Sequence, residues 1–301
     1  MIIEKNGRTF KLVKKFEHDE NLRASFNALT KSTYGFDFES WYQNGHWTDK
    51  YLPYALAHED QIVANISVNI MDFKIKDEIS RYIQLGTVMT DQTYRGMGLS
   101  RLLMDIILKE WEDQCDLIYL FANDSVLDFY PKFGFEKRDE YHYYQHIDIS
   151  TQNFDTDLVR KLDLQNINDQ SLLFKIVMNN QLKLEFMEVS NPYLIMFYSL
   201  NFLSNCFYYI EELDAIIVAE THLDETLIYG VFSRKETHSH QLTQLFIKEK
   251  TDSKIIKFDF VPEDTSKYVL KLSKEEDSTL FIKKIRKDLP ERVKFPTLTH
   301  A

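Results

Sequence analysis

The chain has 301 residues, 44% hydrophobic and 14% aromatic, and its 47 acidic and 36 basic side chains leave a formal net charge of −11. That length suits two ordinary domains, and the apolar content argues against wholesale disorder. The acidic balance, with no long Lys/Arg block, argues against nucleic acid and mildly favours cationic small molecules. Only two cysteines are present, Cys115 and Cys206. They suggest neither a disulfide framework nor a zinc site, so a reducing, cytoplasmic setting is expected.

In chain order, the first residues alternate apolar with charged side chains and do not read as a secretory leader. Residues 8–14 read as a strand and 20–33 as a helix. A second helical stretch carries Phe38, Trp41 and Tyr42 and ends near Gly45. Residues 51–58 and 61–73 read as a hairpin turning at Glu59-Asp60, and 81–89 as a third strand. Phe36, Phe38, Trp41, Tyr42, His46, Trp47, Tyr51 and Tyr54 form an aromatic cluster, read either as core or as the wall of a pocket. Leu99, Leu102, Leu103, Ile106 and Ile107 then make one apolar helical stripe. Residues 117–121 read as a strand and 125–133 as a short helix closed near Gly134. Residues 141–149 read as a terminal strand with a half-exposed face.

The polar stretch 148–169 reads as a boundary, dividing the chain into residues 1–148 and a second α+β domain, 149–301. In the latter, 171–180, 192–201 and 240–250 read as helices. Residues 206–213, 215–221, 226–233, 255–261, 267–272 and 279–285 read as strands. The uncharged run from Pro192 to Ile210 reads as a buried helix entering a strand, not a membrane span. Pro192 suits its first turn, with Ser190 or Asn191 as the cap. This order echoes the first half, as a degenerate duplication or as an unrelated α+β domain. His238 and His240 lack a visible third ligand, so no metal is expected. Seven of the eight glycines lie before residue 135, which places the tight loops there.

The informative stretch runs from Leu85 to Ser100. A strand ends, a loop carrying Gly96 and Gly98 follows, and the apolar-stripe helix begins. The free N–H groups of a helix start hold phosphate oxygens, and glycines admit the ligand close to the backbone. The loop is not a P-loop, and Arg101 stands where a third Rossmann-type glycine belongs. About 25 residues on comes Phe121 to Phe135, containing Phe129-Tyr130-Pro131-Lys132-Phe133-Gly134-Phe135.

Together, in this order and spacing, the two segments resemble the GNAT superfamily of N-acetyltransferases. The first resembles its acyl-CoA signature, Gln/Arg-x-x-Gly-x-Gly/Ala, although Thr93 occupies the Gln/Arg position. The resemblance covers about the first 148 residues. It implies a mixed α/β domain flanked by helices, with a sheet splayed between its fourth and fifth strands and acetyl-CoA in the gap. The pantetheine arm would pair near Val88 and Met89. The pyrophosphate would rest on the amides of Arg95, Gly96, Met97, Gly98, Leu99 and Ser100. Tyr130 would protonate the leaving thiolate, and Asn123 would contact the cofactor. The implied activity is direct acetyl transfer to an amine of a small molecule or peptide, by a protein free to form a homodimer. The alternative is a non-catalytic acyl-CoA-binding or regulatory module. Gln84, Asp72 and Thr87 are the candidates near the site for a base or for orienting water, and none is assigned. Cys115, beside Asp113 and Asp116, is not expected to be a nucleophile.

Overall fold

The computed structural model describes residues 1–75, 78–147, 158–189 and 191–301. Residues 148–157 of the expected boundary, and Ser190, lie outside them. The chain opens with a hairpin, β1 (Ile2–Lys5) and β2 (Arg8–Lys14). Helix α1 (Glu20–Tyr34) starts where the Asp19 carboxylate accepts the N–H groups of Asn21 and Leu22, and it stops at Gly35 in the left-handed region. After α2 (Glu39–Gln43) come β3 (Tyr51–His58), β4 (Gln61–Ile75) and β5 (Glu78–Thr90), all antiparallel. The β3–β4 turn falls at Glu59 and Asp60, both at positive φ, as the hairpin reading expects. Helix α3 (Leu99–Trp111) then crosses over to β6 (Leu117–Ala122), which runs parallel to β5.

The second half is also mixed α and β. It contains β9 (Val159–Lys161), α4 (Ile167–Met178), β10 (Phe186–Glu188), α5 (Pro192–Asn201), β11 (Phe207–Ile210), β12 (Ala215–His222) and β13 (Glu225–Ser233). Helix α6 (Ser239–Lys250) leads to β14 (Ile255–Phe258), parallel to β13. The remaining strands are β7 (Glu136–Lys137), β8 (Tyr141–His146), β15 (Val269–Leu272) and β16 (Thr279–Lys284).

Two sheets result, and they interleave in sequence. The first runs β1-β2-β3-β4-β5-β6-β16-β7, with β10 added against β4, and the second runs β15-β8-β14-β13-β12-β11-β9. Each half lends a late strand to the other. The expectation that residues 141–149 end the first half's own sheet is therefore corrected. Strand β8 pairs with β14 and β15, and β16 takes the place beside β6. Although β8 is interior to its sheet, the half-exposed reading of 141–146 holds for most of it: His142 and Tyr143 are buried, Tyr141, Tyr144 and Gln145 are half-buried and His146 is exposed. A second correction concerns 125–133, which forms two 3₁₀ turns, Asp124–Val126 and Tyr130–Phe133, in place of a helix. Pro131 has no N–H to donate back into a helix and disfavours the α conformation at Tyr130. Closure at Gly134, φ +81°, holds.

One face of the first sheet packs on α3 through Leu99, Leu103, Met104, Ile107 and Trp111. Each such side chain contributes roughly 1.5–3 kcal/mol when fully buried. The other face packs on α1 and α2 and continues into the second half. Phe38 stacks on Phe197 with ring centroids 5.2 Å apart, Phe73 on Phe186 at 4.4 Å, and the Trp41 indole donates to the Tyr193 carbonyl at 2.8 Å. Most of the aromatic cluster is thus shared core between the halves. Helix α5, with Asn191 as its cap residue but without a side-chain cap bond, lies within this core. Among the described residues, no helix is long and apolar enough to cross a membrane.

Candidate functional site

Strands β5 and β6 pair only at Tyr82–Leu117, Ile83–Ile118 and Gln84–Tyr119. Beyond Gln84 the two separate, and Leu85–Thr90 has no strand partner on that edge among the described residues. The cause is a bulge. The β4–β5 register shifts between Asn65 and Ser67, and Thr87 takes φ +47°. A buried network fixes it: the Asn65 amide donates to the Thr87 carbonyl and to Ser67 Oγ, both at 2.9 Å. Ser67 Oγ donates to the Tyr51 hydroxyl at 2.9 Å, and that hydroxyl meets Thr87 Oγ1 at 3.0 Å. Val88 and Met89 lie on the splayed edge. Met89 is buried, while the Val88 carbonyl accepts the Tyr34 hydroxyl at 2.9 Å.

At the end of β5, Asp91 Oδ1 accepts the Thr93 N–H at 2.9 Å and its hydroxyl at 2.6 Å. The side chain at the signature's departure is therefore spent on folding the turn. Gly96 and Gly98 stand at φ +76° and +71°, where L side chains are strained. A Cβ on Gly96 would meet nothing within 4 Å, and one on Gly98 would approach only Lys5, at 3.4 Å. Gly98 caps α3 without a side-chain bond, so the amides of Leu99 and Ser100 are not covered by a cap. Met97 is half-buried, and Ser100 Oγ lies 2.8 Å from Thr90 Oγ1. Arg95 is exposed, with Nε 3.3 Å from the Thr90 carbonyl. Lys5 brings a cation that sequence reading missed, since nothing in the sequence ties β1 to a loop 90 residues away.

Tyr130 is 4% exposed and packs against Phe129, Phe135 and, from the late strand β16, Phe281. Burial, and secondarily Tyr34, raises its pKa, which keeps the phenol protonated. Its hydroxyl makes no hydrogen bond among the described residues. Asn123 is exposed at the end of β6 and accepts Ser125 Oγ at 2.8 Å. Asp72 is held by Arg81 at 2.8 Å and Lys50 at 3.7 Å, so it is a structural ion pair. Gln84 is buried, and its Oε1 has no partner among the described residues. Cys115 is buried, and burial followed by Asp116 pushes its pKa up to about 11. That is the inert end of thiol behaviour.

The largest feature missed from sequence is a strap, residues 293–301, laid across the splay. Phe295 stacks on Tyr119 at 4.2 Å, His300 stacks on Phe121 at 3.7 Å, and Tyr198 donates to the His300 carbonyl at 2.8 Å. The backbone oxygen of Ala301 lies 2.0 Å from where a Cβ on Gly86 would stand, so residue 86 must be glycine while the strap is seated. The strap is anchored by Lys294, wholly buried. Its ammonium lies 3.3 Å from Asp259, 3.2 Å from Glu275 and 3.7 Å from Glu140. His142 touches the same two carboxylates, Asp259 at 3.5 Å and Glu275 at 3.4 Å. His142, Asp259 and Glu275 are close enough together to ligate a metal. In this structure the Lys294 ammonium supplies the balancing charge.

Two groups at the strap set opposing pH trends. Burial raises the Glu140 carboxyl from 4.5 to about 7, against the attraction of Lys294. Burial, then Lys294, lowers His300 from 6.5 to about 4. Stability from Glu140 is complete below pH 4.5 and is lost as pH rises through 7. Stability from His300 is complete above pH 6.5 and is lost as pH falls towards 4. His300→Gln should therefore gain stability relative to the parent as pH falls through that window. Glu140→Gln should gain as pH rises from 4.5 to 7. Urea midpoints measured at pH 4.5, 6 and 7.5 check both signs, and parallel curves for parent and variants would refute them.

A family model described as an acetyltransferase (GNAT) domain matches residues 9–138. Residues 9–138 are a GNAT domain. Solved structures extend the likeness in fold to nearly the whole chain. A probable N-acyltransferase from Enterococcus faecalis V583 superposes with TM-score 0.59 at 12% identity, covering 92% of this chain and 73% of that one. Eis1 from Mycobacterium abscessus gives 0.60 at 11%, covering 92% and 74%. A GCN5-related N-acetyltransferase from Kribbella flavida gives 0.56 at 14%, covering 92% and 71%. A search of curated proteins found no match. The GNAT domain thus supplies the splay, the Gly96–Ser100 loop and Tyr130, while the wall behind Tyr130 and the strap come from beyond it.

Proposed function

We propose that this protein is a cytoplasmic N-acetyltransferase moving an acetyl group from acetyl-CoA directly to an amine of a small molecule or peptide. The observation that carries this reading is the splay after Gln84, which leads to the uncapped amides of α3; the role of Tyr130 rests on the family resemblance. The pyrophosphate of the cosubstrate would rest on the amides of Arg95 to Ser100, with Lys5 nearby. Val88 and Met89 would pair with the pantetheine once Tyr34 releases the Val88 carbonyl. The neutral amine attacks the thioester carbon, the C–S bond breaks, the Tyr130 hydroxyl gives its proton to the thiolate, and the proton shed by the acetylated nitrogen passes to water, from which the phenolate is reprotonated. No covalent enzyme intermediate is needed, and the inert Cys115 supplies none. The second half acts as a non-catalytic repeat of the same plan. Its α6 N-terminus, the counterpart of α3, is covered by Glu263, which accepts the Ser239 N–H at 2.7 Å and would repel a phosphate.

Calorimetric titration with acetyl-CoA tests this directly. The parent should bind saturably. The double variant Gly96→Glu/Gly98→Glu, checked for an unchanged circular dichroism spectrum, should lose binding by at least about 100-fold, since it places two anions at the phosphate cradle. No binding to the parent would sink the reading.

A further inference from the structure

The second sheet has a splay of its own. Strands β13 and β14 pair from Glu225–Ile255 to Ile228–Phe258, and no further. Two residues past the last pair stands Gly230, the only glycine of the second half, just as Gly86 stands two residues past Gln84. The strap covers both: a Cβ on Gly230 would meet Leu298 at 2.8 Å. Here, however, a pocket of about 120 Å³, open to solvent on the side of Met178 and Val189, lies between β13, the end of α4, β10 and the strap.

Its walls are apolar, chiefly Val177, Leu184, Phe186, Ile195, Phe260 and Leu298. The polar side chains on its lining are already engaged. Asn180 Oδ1 accepts the N–H groups of Leu182 and Ser233. The Tyr229 hydroxyl donates to Glu220 at 3.0 Å, and Thr299 Oγ1 to the Pro296 carbonyl at 2.7 Å. Glu188 has its own interactions as well. Meanwhile Glu263 bars anions from the α6 terminus at the head of the same sheet.

We infer that this second splay is a binding site for a small uncharged apolar group, phenyl-sized or a branched alkyl of similar bulk. A pocket of roughly this volume with Val, Leu, Ile and Phe on its walls has room for a group of about benzene's bulk, and seating one there removes apolar surface from water. A charged group entering it would lose part of its hydration against mainly apolar walls, and an anion would also meet the Glu188 carboxylate. The site stands apart from the acetyl-transfer reading, because it needs neither acetyl-CoA nor Tyr130.

Benzene, benzylamine and benzoate are the probes, titrated into the full chain and followed by methyl NMR shifts. Benzene should bind saturably, with shifts confined to residues around the cavity, and both charged probes should bind at least about 100-fold more weakly. Val177→Phe and Ile195→Phe each fill the cavity and should abolish benzene binding while melting cooperatively. If neither variant folds, xenon-pressurised crystals of the parent decide: density in the cavity supports the site and its absence overturns it. Equal binding of benzylamine, no binding of benzene, or binding that survives filling would also overturn it.

Discussion

Replacing Lys294 with methionine is expected to lower the unfolding free energy by about 3–5 kcal/mol, read from urea or guanidinium curves. The side chain is fully buried, and burial alone would drive the ammonium towards its neutral form. Asp259, Glu140 and Glu275 outweigh that, so the charge stays. Burial likewise opposes ionisation of Asp259, and Lys294, with help from His142 and Thr297, reverses the balance. Methionine keeps the volume and removes the only cation that faces all three carboxylates among the described residues, which strands Asp259 and Glu140 in the interior while Glu275 stays in contact with solvent. Arginine keeps the charge but needs room for a planar fork, so Lys294→Arg is not a silent control. The informative partner is Lys294→Met/Asp259→Asn, which should recover part of the loss because it also removes one stranded anion. A loss under about 1 kcal/mol would mean that the cluster is solvated and the strap held by Phe295 and Leu298 alone.

The contrast between what was legible and what was not follows from the range of each signal. The stripe Leu99–Ile107, the glycines of the α3 loop and the Phe129–Phe135 segment are local patterns, and local physics sets their structure. Periodicity shows which side chains of a strand are covered, but not by which neighbour. Tyr141–His146 and Thr279–Lys284 therefore read as strands, while the sheet each joins, in the opposite half, is not legible in them. The strap has no periodicity at all. Residues 293–301 contain only one 3₁₀ turn, Thr297–Thr299, and are held by ring stacking and a buried lysine. Gly86 looked like one more residue of a strand, and only the nearby Ala301 oxygen explains it. Short strands such as Phe186–Glu188 are equally silent, being too brief to show alternation.

Tyr130→Phe should lower kcat about 100-fold for every accepted amine while changing the dissociation constant for acetyl-CoA by less than about twofold. The ring packs between Phe129, Phe135 and Phe281, and phenylalanine preserves those contacts. What disappears is one hydroxyl that no described residue engages. A CoA-like thiol, with a pKa of about 8.5, is a moderate leaving group. It departs faster if a donor neutralises its charge as the C–S bond breaks, and that donor acts in the transition state more than in the ground state. Burial holds the Tyr130 proton in place well beyond neutral pH, so its loss should not shift the basic limb of the pH–rate profile. A structural role would give a different pattern, with a lower melting temperature and weaker cofactor binding moving together. Unchanged turnover with all amines would remove Tyr130 from the mechanism. Cofactor binding without turnover in the parent itself would favour a module that keeps the acyl-CoA cradle for regulation.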